Sequence, residues 1–469
     1  MYELPRRKLL GASALGAAAL LTSVGAGAYA VGTRLQRKGN TLLDNLSELP
    51  DGLLEAVRFP LIEAIHGRRS RRFARGASIP DGPLAYESKH EPAPLTELQQ
   101  LLLLTTVAGN TGWSNLIPYN RAYLPRLPNY AGAAGGRSFP SAAGFHTTEF
   151  FYTDDDGVYF FPTRDMAATS AKDANNVTDL DAYLDAHKSR IHKLADGRLR
   201  TPAQPQHMEM HNEWCANVPG STLIIPVADL AQHVLLSLCY LVQGGVCVYD
   251  DRNDRPIPGL ERFKNRVDVA NPFPLSFLEQ MSLTEVTVEI SCACYAGALM
   301  QQAMGLGGWM FEGINPFSIL GASGDPAVPG LGFRFDMIPN QPLPHVTGRE
   351  GVFEGHCPPH FSNMRAAVES VVQRKYGKGG PFNANTGGPY KESDAVRGAA
   401  APIDDEFVEC VATMAQYVQD TFGRFPATVP AIFTLMYLQT HQLDTDFYDK
   451  HFEPGAYLHT HAAHSGNWG

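Results

Sequence analysis

The run Arg68-Arg69-Ser70-Arg71-Arg72-Phe73 places four guanidinium groups and a hydroxyl in five consecutive positions. Guanidinium forks and hydroxyls are the donors that phosphate oxygens select, so the run has the chemistry of a phosphate-monoester site. In an extended chain residues two apart share a face, which puts Arg68, Ser70 and Arg72 on one side and Arg69 and Arg71 on the other. A solvated basic turn, or the rim of a site for an anionic partner, has the same composition. Histidines form the next candidates. His459-x-His461-x2-His464 is a metal-ligand set by residue type, and His207 and His211, followed by Glu213, would lie on one face of a helix. Cys292-x-Cys294 is too short and isolated for a metal pair and reads as buried thiols. Asp154-Asp155-Asp156-Gly157 is turn chemistry first. Neither a Ser-His-Asp arrangement nor a P-loop is present, because the glycines of 305–308 lack the Lys-Ser/Thr that a phosphate cradle needs.

The elements that would position these residues follow from hydrophobic spacing. Residues 41–66 carry Leu42, Leu46, Leu49, Leu53 and Val57 on one helical face and lead into the arginine run. Thr96-Glu97-Leu98-Gln99 has capping-box spacing and starts a Leu-rich helix that ends at Gly109-Asn110. The aromatic runs 150–153 and 158–161 flank the aspartate turn as a hairpin. Residues 165–218 are polar and read as an inserted helical excursion. A buried strand is expected over 221–227, an apolar helix over 230–242 and a further strand over 246–249. Val286 to Ile290 opens a segment in which a helix runs from Ser291 to Leu306, closed by glycines. Its small side chains would let another helix or a flat ring approach closely. Two more helices are expected near 363–372 and 406–422, in a C-terminal region whose composition changes from about residue 346.

The chain has 469 residues and a formal net charge of −10, which argues against nucleic acid as a partner. Gly (44) and Pro (34) together predict many loops and few long elements. Its seven scattered cysteines do not describe a disulfide framework and leave at least one thiol free. Arg6-Arg7-Lys8 precedes an uncharged Ala/Gly/Leu-rich run to Gly32 with a small-residue Ala28-Tyr29-Ala30. Residues 1–40 therefore read as a twin-arginine-like export signal or an N-terminal membrane anchor. Either places the body in the periplasm or tethered outside the cytoplasm. Positive charge at both ends keeps the cytoplasmic face of the membrane open as an alternative.

The order of these motifs resembles the nitroreductase-like flavoprotein family, and within it the SagB-type dehydrogenases. The resemblance rests on Arg68 to Arg72, on Pro94-Leu95-Thr96, on Arg137-Ser138-Phe139-Pro140-Ser141-Ala142-Ala143-Gly144 and on the stretch from Met304 to Gly313. It covers roughly residues 60–345. It implies an α+β, nitroreductase-like fold, with a central mixed or antiparallel sheet flanked by helices. The flavin domain would span 41–345 with an insertion at about 165–218, followed by a mostly helical extension over 346–469. The implied cofactor is FMN. Arg68, Ser70 and Arg72 would hold its phosphate, with Arg334 as a further basic candidate. Pro140 and Ser141 would sit beside the ring, and Glu312 and Gly313 would approach its N5/O4 edge. The implied activity is ping-pong hydride transfer through flavin N5 to a small-molecule or peptide-derived substrate. The electron donor would be a nicotinamide, a quinone or a redox protein, and the assembly a homodimer with the small-residue helix suited to its interface. A flavin carries its own reactive atom, so the protein needs donors and an open stacking face and no catalytic side chain, Glu312 being the sole candidate for one. Two other readings stay open: a flavin-free binding protein on the same fold, and a metalloprotein using His459, His461 and His464.

Overall fold

The structure is a computed structural model and describes residues 51–166 and 180–468. The expected export signal or anchor over 1–40 and the first residues of the helical lead-in, 41–50, lie outside the described residues. In chain order the elements used below begin with α1 (Asp51–Arg58), α2 (Leu61–Gly67) and α3 (Glu97–Ala108), then β1 (Thr148–Thr153) and β2 (Gly157–Phe161). They continue through α4 (Leu180–Lys188), β3 (His192–Asp196), β4 (Thr222–Asp229), α5 (Leu230–Gln243), α6 (Leu275–Met304) and β5 (Gly307–Phe311). Strands β6 (Arg334–Asp336), β7 (His345–Arg349) and β8 (Phe353–Glu354) form a small separate sheet. The chain closes with α7 (Met364–Tyr376), α8 (Asp405–Phe422), β9 (Ile432–Phe433), β10 (Tyr437–His441), α9 (Thr445–His451) and α10 (His459–Trp468).

The main sheet has the order β5-β10-β4-β1-β2-β3, with β9 also pairing to β4, and each of these pairings is antiparallel. The protein is thus α+β, with a central antiparallel sheet. Strands β1 and β4 are buried along their whole length, as their apolar, β-branched and aromatic residues demand. Alternation sorts the side chains onto two faces. Phe150, Tyr152, Ile224 and Leu438 pack toward α3 and α6, while Phe151, Leu223, Ile225, Trp309 and Tyr437 pack against Met208, Ile319, Phe333 and Phe353 on the other side. The β1–β2 turn is the expected aspartate turn: Asp154 Oδ1 accepts from the amides of Asp156 (3.0 Å) and Gly157 (3.1 Å). The capping box of α3 also forms, with Thr96 and Gln99 exchanging hydrogen bonds.

Four expectations are corrected. Helix α6 starts at Leu275 rather than Ser291 and takes in the β-branched stretch Val286 to Ile290. Buried Leu275, Leu278, Val286, Ile290, Ala293 and Gly297 form its core seam, and burial of that seam outweighs the few tenths of a kcal/mol per residue by which Val and Thr disfavour a helix. The small face of that helix is not free for a flat ring or a second subunit. A Cβ on Gly297 would lie 2.3 Å from Leu438 Cδ2 and 2.6 Å from Val107 Cγ2, so the small residues serve close packing against β10 and α3. The stretch 165–218 is less helical than expected: 167–179 lie outside the described residues, α4 is followed by β3 on the edge of the main sheet, and the remainder is turns. Residues 346–469 are no appendage, because β10 lies inside the sheet between β5 and β4. Helices α7 and α8 share one core with α5, and Trp468 of α10 packs onto α1 beside Gly52.

Removing residues 437–469 takes out a central strand and detaches β5. Against a typical net stability of about 5–15 kcal/mol this loss is decisive. The truncated chain is expected to show no cooperative thermal transition by circular dichroism, and a melt like that of the full chain would show that the sheet closes without β10.

Candidate functional site

The arginine run is extended and attached to the outer edge of β5. Arg71 N donates to Gly308 O (3.2 Å) and Gly308 N donates to Arg71 O (2.8 Å). Gly308 is required there: its φ is +139°, and a Cβ would lie 2.1 Å from Gln439 O. The pairing continues on the chain beyond β10, where Arg75 N donates to Gln442 O (3.0 Å) and Asp444 N to Phe73 O (3.2 Å). The Arg71 guanidinium is buried. Its Nε donates to Ala456 O (3.0 Å), one terminal nitrogen to Gln302 Oε1 (2.6 Å) and the other to Gly67 O (3.1 Å). Burial lowers its pKa to about 10, which leaves it charged at neutral pH. Arg71 is therefore a clamp.

The other arginines face outward. Arg69 is exposed and bonds back to His66 O (2.9 Å) and Arg68 O (2.8 Å). Arg68 lies over the Tyr295 ring (5.8 Å) and Arg72 over the Trp309 ring (5.0 Å). Among the described residues no carboxylate pairs with Arg68, Arg69 or Arg72. The two faces expected from strict alternation do not form, because Arg71 turns inward and Arg69, not Arg68, joins Ser70 and Arg72 at a cavity. Arg69, Ser70 and Arg72 line a cavity of about 460 Å³ whose walls include Trp214, Phe447, Tyr448 and Phe452. Phe73 stacks on Phe447 (4.0 Å, 7°), and Tyr448 Oη accepts from Phe73 N (3.4 Å), which fixes the aromatic wall to the run.

Glu312 and Gly313 follow β5 directly. Gly313 has φ +115° and its carbonyl accepts from Glu209 N (2.9 Å). A Cβ there would lie 2.6 Å from Asn212 Nδ2, so the turn around 206–216 covers this segment closely. The same turn supplies Trp214 to the cavity, and Gln439 of β10 anchors it by accepting from Asn217 N (2.6 Å) and donating to Cys215 O (2.7 Å). The structure therefore gathers Ser70, Arg72, Trp309, the 312–313 segment and Trp214 along one sheet edge. Trp214, Phe447 and Tyr448 were missed in the sequence. Their only sequence signal is aromatic residues in otherwise polar stretches.

Pro140 and Ser141 are held elsewhere. Ser141 Oγ donates to Glu289 Oε1 (2.5 Å) and accepts from Phe145 N (3.1 Å). Glu289 is buried in α6 and also accepts from His146 N (3.0 Å), Thr147 N (3.1 Å) and Thr148 Oγ1 (2.9 Å). Burial pushes the Glu289 pKa up, and these donors pull it back. Glu289 precedes Tyr295 by about 9 Å of helix rise and faces roughly 120° away. Ser141 and Arg68 thus meet the same helix on different faces, and no described contact joins the Pro140-Ser141 turn to the arginine run. Arg334, the further basic candidate, is committed to Glu354 across the small sheet (3.1 Å from one terminal nitrogen).

The histidine candidates do not converge. On α10, steps of about 100° per residue turn His459 away from His461 and His464, which are i,i+3 neighbours on the buried side but meet different partners. His459 is exposed between Glu55 (3.5 Å) and Glu63 (3.3 Å). His464 is buried with Nδ1 at 2.7 Å from Met304 O, and His461 Nδ1 accepts from Leu458 N (3.3 Å). His207 and His211 share no helix: His207 Nδ1 meets Ser318 Oγ (2.9 Å), while His211 is exposed beside Glu209 (3.4 Å). Among the described residues the group whose atoms gather closely enough for a cation is His90, Asp444 and Asp446. There Asp444 is already engaged, capping α9 and accepting from Ser88 Oγ (2.6 Å). All seven cysteines are free thiols.

Burial pushes the His461 imidazole down to about 3 and the His441 imidazole down to about 4. An unfolded chain takes up these protons near pH 6.5, whereas the folded chain holds both rings neutral. Their contribution to stability is complete above about pH 6.5 and is lost as the pH falls toward the folded values. Urea unfolding between pH 7 and 4.5 should show stability falling with pH, and His461→Gln should reduce the slope by about one proton. An unchanged slope would show that His461 does not titrate on unfolding.

No protein-family model matches the chain, and no curated protein matches it. Among solved structures, a Ralstonia eutropha JMP134 protein assigned as a nitroreductase aligns at 13% identity with a TM-score of 0.26, over 55% of this chain and 71% of that one. A score of that size defines neither fold nor activity, and the architecture is described by its own topology.

Proposed function

We propose that the chain is an FMN-dependent oxidoreductase of nitroreductase or SagB type, with Ser70 and Arg72, joined by Arg69 in the same cavity, as its phosphate donors. One observation carries this reading. A protein of net charge −10 holds three guanidinium groups without carboxylate partners, on a run fixed by Arg71 to the edge of β5, beside an aromatic-walled cavity of about 460 Å³. Unpaired arginines beside an aromatic wall suit a ligand with an anionic end and a flat apolar body, and the volume lies in the usual range for ligand sites. These residues fit the group. Flavin, when bound, supplies hydride transfer at its N5, and the chain supplies binding and orientation. Arg72 is braced by Trp309, so less side-chain freedom is lost on gripping a phosphate. Trp214, Phe447 and Phe452 give the cavity an aromatic wall. The geometry gives Ser141 a structural role under Glu289, and the reading does not need it or Arg334 at the flavin.

The substrate is proposed to be a small molecule or a peptide-derived group, with a nicotinamide, quinone or redox protein as donor, working outside the cytoplasm behind the N-terminal signal or anchor. The assembly is proposed to be a homodimer, through a face different from the small-residue seam. Leu61, Ile62 and Ile65 of α2 and Val288 and Tyr295 of α6 are all exposed, and Arg68 spans the two helices where it covers Tyr295. A two-fold pairing buries such a patch against its own copy.

The purified protein is expected to be yellow with a flavin absorption band. Arg69→Ala combined with Arg72→Ala should abolish FMN retention, whereas Arg68→Ala, outside the cavity lining, should keep it. Equal loss in both proteins would refute this assignment, and a colourless protein that takes up no FMN would leave the flavin-free binding protein as the better reading. Light scattering on the full chain should give twice the monomer mass, reduced to the monomer by Ile62→Glu with Val288→Glu. A mass unaffected by that pair would place any interface elsewhere.

A further inference from the structure

Away from the arginine run, a second cavity of about 370 Å³ lies between α5, the N-terminal half of α6 and the turn that follows Ser141. Its walls include the rings of Tyr130, Phe145, Tyr240 and Phe273, and Glu285 is the one charged group in its lining. Among the described residues Glu285 has no lysine or arginine partner. Its polar neighbour is His233 in the adjacent helix, with Nε2 at 3.5 Å from Glu285 Oε2. That imidazole is fully buried, lies edge-on to Phe145 (5.0 Å, 63°), and neither of its ring nitrogens has a hydrogen-bond partner. A partly buried carboxylate, 27% exposed, that lacks a counter-ion carries some desolvation cost, and a buried imidazole left without partners carries another. The chemistry that relieves the first is a cation small enough to enter and apolar enough to be held by aromatic rings.

We propose that this cavity binds an organic ammonium ion, with Glu285 as its counter-charge and Tyr130, Phe145, Tyr240 and Phe273 as its walls. The electron-rich faces of aromatic rings attract a desolvated ammonium group, and apolar side chains between them accept its hydrocarbon part. His233 does not compete for the role of counter-ion, because burial pushes its pKa down to about 3 and keeps it neutral. Burial raises the Glu285 pKa, so an arriving cation also stabilises the ionised form. An anion is excluded by charge, and a divalent metal has a single carboxylate to meet here, fewer ligands than such ions require. The assignment stands apart from the flavin reading, since none of these residues belongs to the arginine cavity.

Calorimetric titration of the full chain tests it with three probes of similar size: 2-phenylethylammonium, 2-phenylethanol and 3-phenylpropanoate. The ammonium is expected to bind at least about tenfold more tightly than the alcohol, and the carboxylate not to bind. Glu285→Gln should erase that preference with the thermal transition unchanged, and Glu285→Asp, which keeps the charge, should retain it. Absence of saturable binding by the ammonium, equal binding of the alcohol, or a preference that survives Glu285→Gln would each overturn the proposal. The readout is independent of flavin content, so failure of the flavin reading leaves it standing, and the converse also holds.

Discussion

Strand β5 reaches the main sheet only through β10, and most of the candidate site hangs from β5. Residues 437–441 complete a pairing whose other members lie more than a hundred residues earlier in the chain. On its outer edge β5 holds Arg71, and through Arg71 the whole arginine run. At its end it carries Glu312 and Gly313. Through Gln439, β10 also anchors the turn that bears Trp214. A site at the edge of a sheet is therefore fixed by a strand in its interior. That arrangement makes the last third of the chain part of the site's framework, and long-range pairings of this kind form late and slowly in folding.

Helix α6 is the second framework element, and its surface is divided by function. One seam is small, so that Gly297 comes within contact of β10 and α3. Gln301 locks that seam by donating to Gln439 O (2.7 Å) and Thr440 Oγ1 (2.7 Å). Glu289 holds the Pro140-Ser141 turn, Tyr295 and Gln302 support Arg68 and Arg71, and Glu285 opens into the second cavity. The charges are sorted in a telling way. Where a buried ion is structural, as with Arg71 and Glu289, it is surrounded by several partners that offset its desolvation. Where a charged group faces a cavity, as with Arg72 and Glu285, no oppositely charged partner stands beside it among the described residues. Satisfied ions specify the fold, and the unsatisfied ones are the groups to which the proposed ligands are assigned.

Local structure was legible in the sequence wherever the determining interactions are local. The aspartate turn between β1 and β2, the capping box of α3, the glycine that ends α6 and the apolar strand β4 all rest on contacts within a few residues, so spacing and residue type suffice. The arginine run was equally visible as a concentration of guanidinium groups. Which arginine would turn inward was not visible, because Arg71 is chosen by Gly308, Gln302 and Ala456, all remote in the chain.

Tertiary structure alone decided the rest. The β-branched middle of α6 becomes helix because a long seam must be buried against α5 and the sheet, and local propensity is too weak to resist. The C-terminal residues change from an apparent appendage to an interior strand because pairing partners are set by sheet closure. His459 separates from His461 and His464 by helical rotation, and the last two, though neighbours on the buried side, are engaged by different groups, a distinction that residue type cannot encode. The second cavity is invisible in the sequence for the same reason, since Tyr130, His233, Phe273 and Glu285 belong to distant segments. By itself the sequence determined the chemistry on offer and the local turns and caps that present it. Only the packing of α6 and the insertion of β10 decided which of those groups would be buried with partners and which left open to a ligand, because burial and charge pairing are properties of the assembled chain.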